Sequence, residues 1–410
     1  MLSKIKNIDW ALVTILLIFM GICIPVVHSA ITNSKADVLT ASAFKMAVYY
    51  VAGFVAFFAV AFFPYKWLIK YAVYVYMLGI GLLLLVWTPL RMSLNGADGW
   101  IGFKGFSLQP AEAFKLVLIV TLAAYLVRKQ KDKLGFWKDI VPAGFIVLIP
   151  FGLVVLQNDL GNALCYLVIL VGLLWIGNMK YTQALLFLVL AGSMLFGGIH
   201  AYKTYHEQIT DFLGESGRAH FLARIDAWLL PDQASKDDIY QIERAQLAIG
   251  NGGMLGKGYM KGELSGRVPY TYADSVISVI AEEFGFVGMA VLLLLYFILI
   301  HRMILIALEC RERAGPYIIV GIVAMFMYQI FENIGMFMGL MPLTGVTLPF
   351  ISYGGTSLII NMACIGVVMS IHFANKKHQA EENVLRTDHL DDGEKKENKK
   401  RKFKIPNLKF

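Results

Sequence analysis

The chain alternates long apolar runs with short polar breaks. A helical run of this length crosses a hydrocarbon core of about 30 Å. The pattern predicts about ten spans by that criterion, at residues 9–31, 44–63, 71–89, 111–127, 140–156, 163–176, 184–201, 276–300, 317–338 and 358–373. The sixth is short, and residues 144–177 also read as one broken helix pair around Gln157, Asn158, Asp159, Leu160 and Gly161. The expected class is therefore all-α: a polytopic transmembrane helical protein over residues 1–375, with one large loop at 202–272 and a tail at 376–410.

One connection departs from the pattern. Residues 333–357, NIGMFMGLMPLTGVTLPFISYGGTS, join two apolar spans with a segment holding five glycines and two prolines. Non-helical backbone at membrane depth survives only where protein buries it or where it lines a wet cavity. Two readings stand at even odds: part of a site at one membrane face, or a re-entrant loop that only packs the helices.

Composition agrees with the spans. Hydrophobic residues make up 58% of the chain and charged residues 16%, with a mean hydropathy of +0.62; a soluble domain sits nearer ~45–50% and ~25%. The cysteines Cys23, Cys165, Cys310 and Cys364 form no CxxC pair, so neither a disulfide framework nor a cysteine metal site is indicated. The first apolar run lacks a convincing cleavage site and reads as a retained anchor.

Charge sets the expected orientation. Lys4, Lys6, Lys66, Lys70, Arg128, Lys129, Lys131, Lys133, Lys138, Lys180, Arg302, Arg311 and Arg313 fall on one side, followed by a Lys/Arg-rich tail. Positive-inside bias places that side, and both termini, in the cytoplasm. The 202–272 loop is then extracellular, since long loops translocate largely regardless of charge. The tail has too few apolar residues to fold alone and is expected to be disordered; its lysines either rest on anionic membrane lipids or are simply solvated. The net charge of +8 owes much to this tail and argues for a membrane surface, not nucleic acid.

Ionisable residues in apolar surroundings are functional candidates, because charge there is costly. Asp159 sits at a helix break. Glu112 and Lys115, three apart, share a helix face and can pair. Glu282 and Glu283 follow Asp274 on the eighth span, and Glu332 lies near the end of the ninth. For Glu112 with Lys115, and for Glu283, the plainer reading is a structural tie between helices. Asp274 begins a span after Pro269, Tyr270, Thr271, Tyr272 and Ala273. Either it caps the helix N-terminus, or it is a partly desolvated carboxylate able to take a proton from a hydroxyl. Lys257, Lys261 and Arg267 nearby are candidates to neutralise a pyrophosphate. The glycines around Lys257 can present N–H groups to phosphate, but their spacing matches no nucleotide fingerprint.

Several segments, in order, resemble the SEDS family (shape, elongation, division and sporulation), which includes RodA and FtsW. GADGWIGFKGFSLQPAEAFKL resembles GA-x-x-WI…QPSE-x-x-K, and QNDLGNAL resembles QPDLGTAL. YQIERAQLAIGNGGMLGKG resembles YQ…Q-x-AIGSGG-x-x-GKG. Pro269 to Asp274 with AEEFGFVG resembles PE-x-x-TDF…GEEFG, and NIGMFMGLMPLTGVTLPFISYGGTS is similar to NIGM-x-x-GLLPVTGIPLPFISYGGSS. The GKG-x-x-x-G form leans toward RodA. The resemblance implies ten transmembrane helices and a peptidoglycan glycosyltransferase acting on lipid II at the outer face of the bacterial cytoplasmic membrane. It also implies a class B penicillin-binding protein, a transpeptidase, as partner. The catalytic aspartate falls on Asp274, and other functional positions fall on Trp100, Glu112, Lys115, Asp159, Gln241, Lys257 and Ser352.

A divalent cation (Mg or Mn) or the basic loop residues would stabilise the departing pyrophosphate. A lipid-linked precursor transporter and a non-catalytic scaffold for the transpeptidase are the rival readings. Departures from the motifs leave room for a divergent relative: Asp98 and Gly99 before Trp100, Asn158 and Asn162 around Asp159, Tyr270, Ala273 and Ser275 around Asp274, and Thr347 in place of a proline.

Overall fold

A computed structural model describes all residues except 1, 35–41, 95–96, 104–105, 130–132, 216–218, 233, 235 and 403–410. In chain order its helices are α1 (Leu2–Lys6), α2 (Trp10–Asn33), α3 (Ala43–Phe62), α4 (Tyr65–Lys70), α5 (Ala72–Leu84), α6 (Pro110–Lys129), α7 (Val141–Leu156), α8 (Leu160–Ile176), α9 (Tyr181–Thr204), α10 (His206–Glu215), α11 (Ala219–Leu229), α12 (Lys236–Gly252), α13 (Val276–Leu308), α14 (Ala314–Phe337) and α15 (Gly355–Lys402). Strands β1 (Arg91–Leu94), β2 (Ala97–Phe103) and β3 (Phe106–Leu108) lie between α5 and α6.

Among the described residues, eight helical segments are long and apolar enough to cross a membrane, and the shorter apolar helices Ala72–Trp87 and Leu160–Ile176 bring the total to ten. They fall on the ten runs expected from hydropathy. The protein is thus a polytopic, almost wholly helical membrane protein.

Three features differ from the sequence expectation. Strands β1, β2 and β3 form an antiparallel sheet in the order β1-β2-β3, with Met92 opposite Trp100 and Ile101 opposite Leu108. The 202–272 loop is largely helical, as α10, α11 and α12. And α15 is longer than the apolar run that predicts it, its backbone running on to Lys402. The first turns beyond the membrane are tied to the α13–α14 connection by His378 with Glu312 at 3.0 Å and by the Arg311–Glu382 ion pair.

Close helix contacts depend on small residues. A Cβ on Gly53 of α3 would stand 3.0 Å from Met362 Cγ of α15, and one on Gly366 would stand 2.6 Å from the Phe57 carbonyl oxygen. The irregular segment between α14 and α15 is driven into this core. Phe350 stacks on Phe19 at 5.3 Å and meets Phe326 edge-on at 5.4 Å. Three successive carbonyls find partners there: Tyr296 and Tyr50 donate to those of Pro349 and Phe350, and Cys23 donates to that of Ile351 at 3.1 Å.

Helix α13 is broken at Gly285 (φ 63). The break frees backbone groups, and the loop after α12 satisfies them. Lys257 and Gly258 N–H donate to the carbonyls of Glu282 and Glu283, both at 2.9 Å, while Phe286 and Val287 N–H donate to Gly253 and Met254 at 2.9 and 3.1 Å. Only glycine fits this approach: a Cβ on Gly252 would lie 1.9 Å from the Ala281 carbonyl oxygen, and one on Gly256 2.1 Å from that of Glu283.

Two substitutions in that loop separate seating from strain. Gly256→Ala forces a methyl group against the Glu283 carbonyl and is expected to lower the melting temperature in detergent strongly. Gly253→Ala has open space around its Cβ although its φ is +57, so its cost is only the left-handed backbone penalty of about 1–2 kcal/mol. Equal melting temperatures for the two variants would show that the loop is not seated on α13.

Candidate active site

Asp274 lies in the turn before α13, which begins at Val276 with Ser275 at the cap position and no side-chain cap bond. The N-cap reading therefore does not hold, and the carboxylate is not occupied in capping. The turn is held from three sides. Gln241 Nε2 donates to the Pro269 carbonyl at 3.4 Å and Ser275 Oγ donates to the same oxygen at 2.6 Å. Asn333 Nδ2 of α14 donates to the backbone carbonyls of Asp274 and Val346, both at 2.8 Å. Tyr353 N–H donates to the Tyr272 carbonyl at 2.9 Å.

The side chain faces Gly345 (φ +77), where an added Cβ would stand 3.6 Å from Asp274 Oδ2 and 4.0 Å from Arg224 Nη1. A carboxylate of α13's leading turn and a guanidinium of α11 thus meet across a glycine of the 338–354 loop. Burial, though the side chain keeps some exposed surface, raises Asp274 from its ordinary 3.8 to about 6, while the charge of Arg224 opposes the rise. Such a group is ionised at neutral pH yet close enough to neutrality to accept and return a proton.

Arg224 was not singled out from the sequence. The cations that were, Lys257, Lys261 and Arg267, are exposed along the loop that follows α12, and among the described contacts it is Arg224 whose charge bears on Asp274. The glycine-rich loop is no phosphate cradle at Lys257 and Gly258, because their N–H groups serve α13.

The acids after Asp274 are structural. Glu282 accepts from Ser265 N–H at 2.7 Å, Leu264 N–H at 3.0 Å and Asn251 Nδ2 at 2.9 Å. Glu283 accepts from Ser29 Oγ of α2. Ser352 Oγ accepts from Leu348 N–H at 2.8 Å, closing a turn inside the loop.

A second polar cluster lies across the same loop. Glu112 and Lys115 pair at 2.8 Å, their side chains 4% and 0% exposed. Asp159 caps α8 by accepting from Asn162 N–H at 3.1 Å, and also accepts from Asn162 Nδ2 at 2.9 Å and Gln109 Nε2 at 2.6 Å. The sheet covers this corner: a Cβ on Gly99, next to Trp100, would stand 3.3 Å from Gln157 Oε1 and 3.8 Å from Asp159 Oδ2. Gly161 packs under Thr344 and Val346, the residues flanking Gly345, and Thr344 Oγ1 donates to Glu332 at 2.9 Å.

Among the described residues no group of three or more His, Cys, Asp or Glu side chains is placed to hold a metal ion. Asp274 has a guanidinium rather than a second carboxylate beside it, a donor set that does not by itself suit Mg or Mn.

Comparison with known proteins gives consistent likenesses. The family model described as cell cycle protein, FtsW/RodA/SpoVE, matches residues 8–377. Stage V sporulation protein E of Bacillus subtilis (strain 168) is 33% identical over 292 residues, 71% of this chain and 75% of that protein. A probable peptidoglycan glycosyltransferase FtsW of Geobacter sp. (strain M18) is 30% identical over 330 residues, 80% of this chain and 85% of that one. Of solved structures, a chain from work on coordination of polymerization and crosslinking by a peptidoglycan synthase complex superposes with a TM-score of 0.73 at 26% identity, over 90% of this chain and 98% of that one. The rod shape determining protein RodA of Thermus thermophilus gives 0.63 at 27% identity, over 89% and 96%. These likenesses do not separate a RodA-like from an FtsW-like chain.

The buried Glu112–Lys115 pair makes a distinct stability prediction. Neutralising either partner alone leaves the other charge unpaired, at a cost of about 3–5 kcal/mol. Glu112→Gln with Lys115→Met is expected to recover most of that loss. Thermal unfolding of all four forms in detergent measures it; additive losses without recovery would refute the pairing.

Proposed function

The chain belongs to the FtsW, RodA and SpoVE family of cell cycle proteins, and from that membership we propose that it is a peptidoglycan glycosyltransferase. It polymerises lipid II into glycan strands at the outer face of the bacterial cytoplasmic membrane, serving elongation, division or sporulation. The observation that carries the reading is the Asp274 carboxylate, raised to about 6 and facing Arg224 at the end of a membrane-spanning helix.

Asp274 accepts the proton of the 4-hydroxyl of the acceptor lipid II sugar. The oxygen attacks the anomeric carbon of the lipid-linked growing chain, and the bond to the pyrophosphate breaks with its electron pair leaving on undecaprenyl pyrophosphate. Arg224 meets the charge on that leaving group, a task suited to a planar guanidinium. Lys257, Lys261 and Arg267 add positive field along the exposed rim. Gln241 and Asn333 hold the backbone around Asp274, while Trp100, Glu112, Lys115 and Asp159 shape the wall on the far side of the loop. Glu283 and Ser352 act through the fold.

A class B penicillin-binding protein cross-links the product. Both termini lie in the cytoplasm, the 202–272 loop lies outside, and basic residues of the tail rest on anionic membrane lipids.

Asp274→Asn is expected to insert normally and to lose at least ~10²-fold in polymerisation of purified lipid II, the scale of a lost general base. A folded carboxylate raised from 3.8 to about 6 binds its proton more tightly than the unfolded chain does. Its stabilising share is thus complete below 3.8 and is lost as pH rises through about 6. The Asn variant escapes that loss, so at pH 7.5 it is expected to melt no lower than wild type. Wild-type rate rises with pH through a midpoint near 6, and Arg224→Gln moves that midpoint upward. Wild-type polymerisation by Asp274→Asn would remove Asp274 as the base; absence of polymerisation by the wild-type protein, with cellular function intact in Asp274→Asn, would leave the scaffold reading; and lipid crossing liposomes without new glycosidic bonds would leave the transporter.

Topology is tested separately. In a Cys310→Ser background, a cysteine at the exposed Glu263 is expected to react with an impermeant thiol reagent from outside intact cells. One at the exposed Glu381 reacts only after permeabilisation. Reversed labelling would put Asp274 on the wrong face for this chemistry.

A further inference from the structure

The other end of α13 carries a feature that glycan chemistry does not use. A cleft of about 330 Å³ opens where the start of α2, the end of α13 and the middle of α15 meet, lined by Lys6, Asn7, Asp9, Arg302, His372 and Lys376. Three of these are cations and one is an acid. Asp9 is occupied: it caps α2 by accepting from Leu12 N–H at 3.2 Å and accepts two bonds from Arg302, through Nε at 2.8 Å and through Nη2. Lys376 also lies 3.8 Å from Glu309, which leaves the mouth with a net positive balance. Lys6 is exposed at the rim.

His372 lies at the base of the cleft, 4% exposed. The position is interfacial. Trp10, at the first position of α2, is 65% exposed beside the cleft, as tryptophans are at the level of lipid headgroups. Basic pockets between spans at that level suit anionic headgroups.

We propose that this cleft binds the phosphate of an anionic membrane lipid. The phosphate sits between Lys6, Lys376 and the outer edge of the Arg302 guanidinium, above the buried His372 ring. The acyl chains run down the exposed apolar surface beside Trp10. The site stands at the opposite membrane face from Asp274, because the two mark opposite ends of α13. It does not depend on the polymerase reading.

The test uses the full-length protein in a zwitterionic detergent, with phosphatidylglycerol, phosphatidylcholine or inorganic phosphate added. Phosphatidylglycerol is expected to raise the melting temperature by roughly 2 °C or more over phosphatidylcholine. In Lys6→Gln with Lys376→Gln that difference falls by at least half. Lys133→Gln with Lys138→Gln, elsewhere on the same basic face, keeps it. Stabilisation by inorganic phosphate that the Lys6/Lys376 variant removes supports the same site with a soluble source. Equal stabilisation by phosphatidylcholine, or equal loss in the Lys133/Lys138 control, overturns the proposal, since either outcome means a nonspecific or diffuse surface effect.

Discussion

A helix broken inside a membrane protein exposes backbone groups that lipid cannot satisfy. Gly285 creates that problem in α13, and the loop after α12 answers it with four backbone hydrogen bonds to residues 282–287. Much else hangs on this seal. It fixes the end of α12 and hence Gln241, which holds the carbonyl of Pro269. It brings Glu282 under Leu264 and Ser265, setting the path of the chain into the Asp274 turn. The acids of AEEFG and the glycines of GGMLGKG thus form one device, whose product is the position of Asp274, eleven residues before the break at Gly285.

The 338–354 segment solves the same problem differently. Its carbonyls are taken by Tyr296, Tyr50 and Cys23, and Phe350 anchors it among aromatic rings. So fastened, successive residues face different neighbours: Thr344 and Val346 pack on Gly161, whereas Gly345 faces Asp274 and Arg224. The Glu112–Lys115–Asp159 cluster and the facing Asp274 and Arg224 are therefore two sides of one wall. Three consecutive residues separate the buried cluster from the Asp274 carboxylate.

Hydropathy made the ten spans legible, and the glycine and proline content of residues 333–357 marked the irregular segment. The sheet at 91–108 was not read, because its strands are short and interrupted by glycines. Arg224 was missed because it lies in a loop treated as one piece; the amphipathic run ARIDAWLL was the available signal for a helix that carries it. Lys257, Lys261 and Arg267 were favoured for closeness in sequence to Asp274. The chain instead spends that stretch sealing α13, and the cation that meets Asp274 comes from fifty residues upstream in sequence.

The departures from the family motifs make sense as backbone adjustments. Asn158 stands where the motif has proline, and its φ is 59, a conformation closed to proline but open to asparagine. The neighbouring change to Asn162 adds a side-chain donor to Asp159, so the altered corner keeps its carboxylate braced. Ser275 replaces phenylalanine and fastens the Pro269 carbonyl, a bond phenylalanine lacks, in a turn where Tyr270 adopts a φ of 53. Thr347, in place of proline, bonds Ser357 at 2.9 Å. In each case the substituted residue changes a local hydrogen bond or backbone conformation, and the two turns that carry Asp159 and Asp274 stay braced: by Asn162 at Asp159 itself, and by Ser275 through the Pro269 carbonyl.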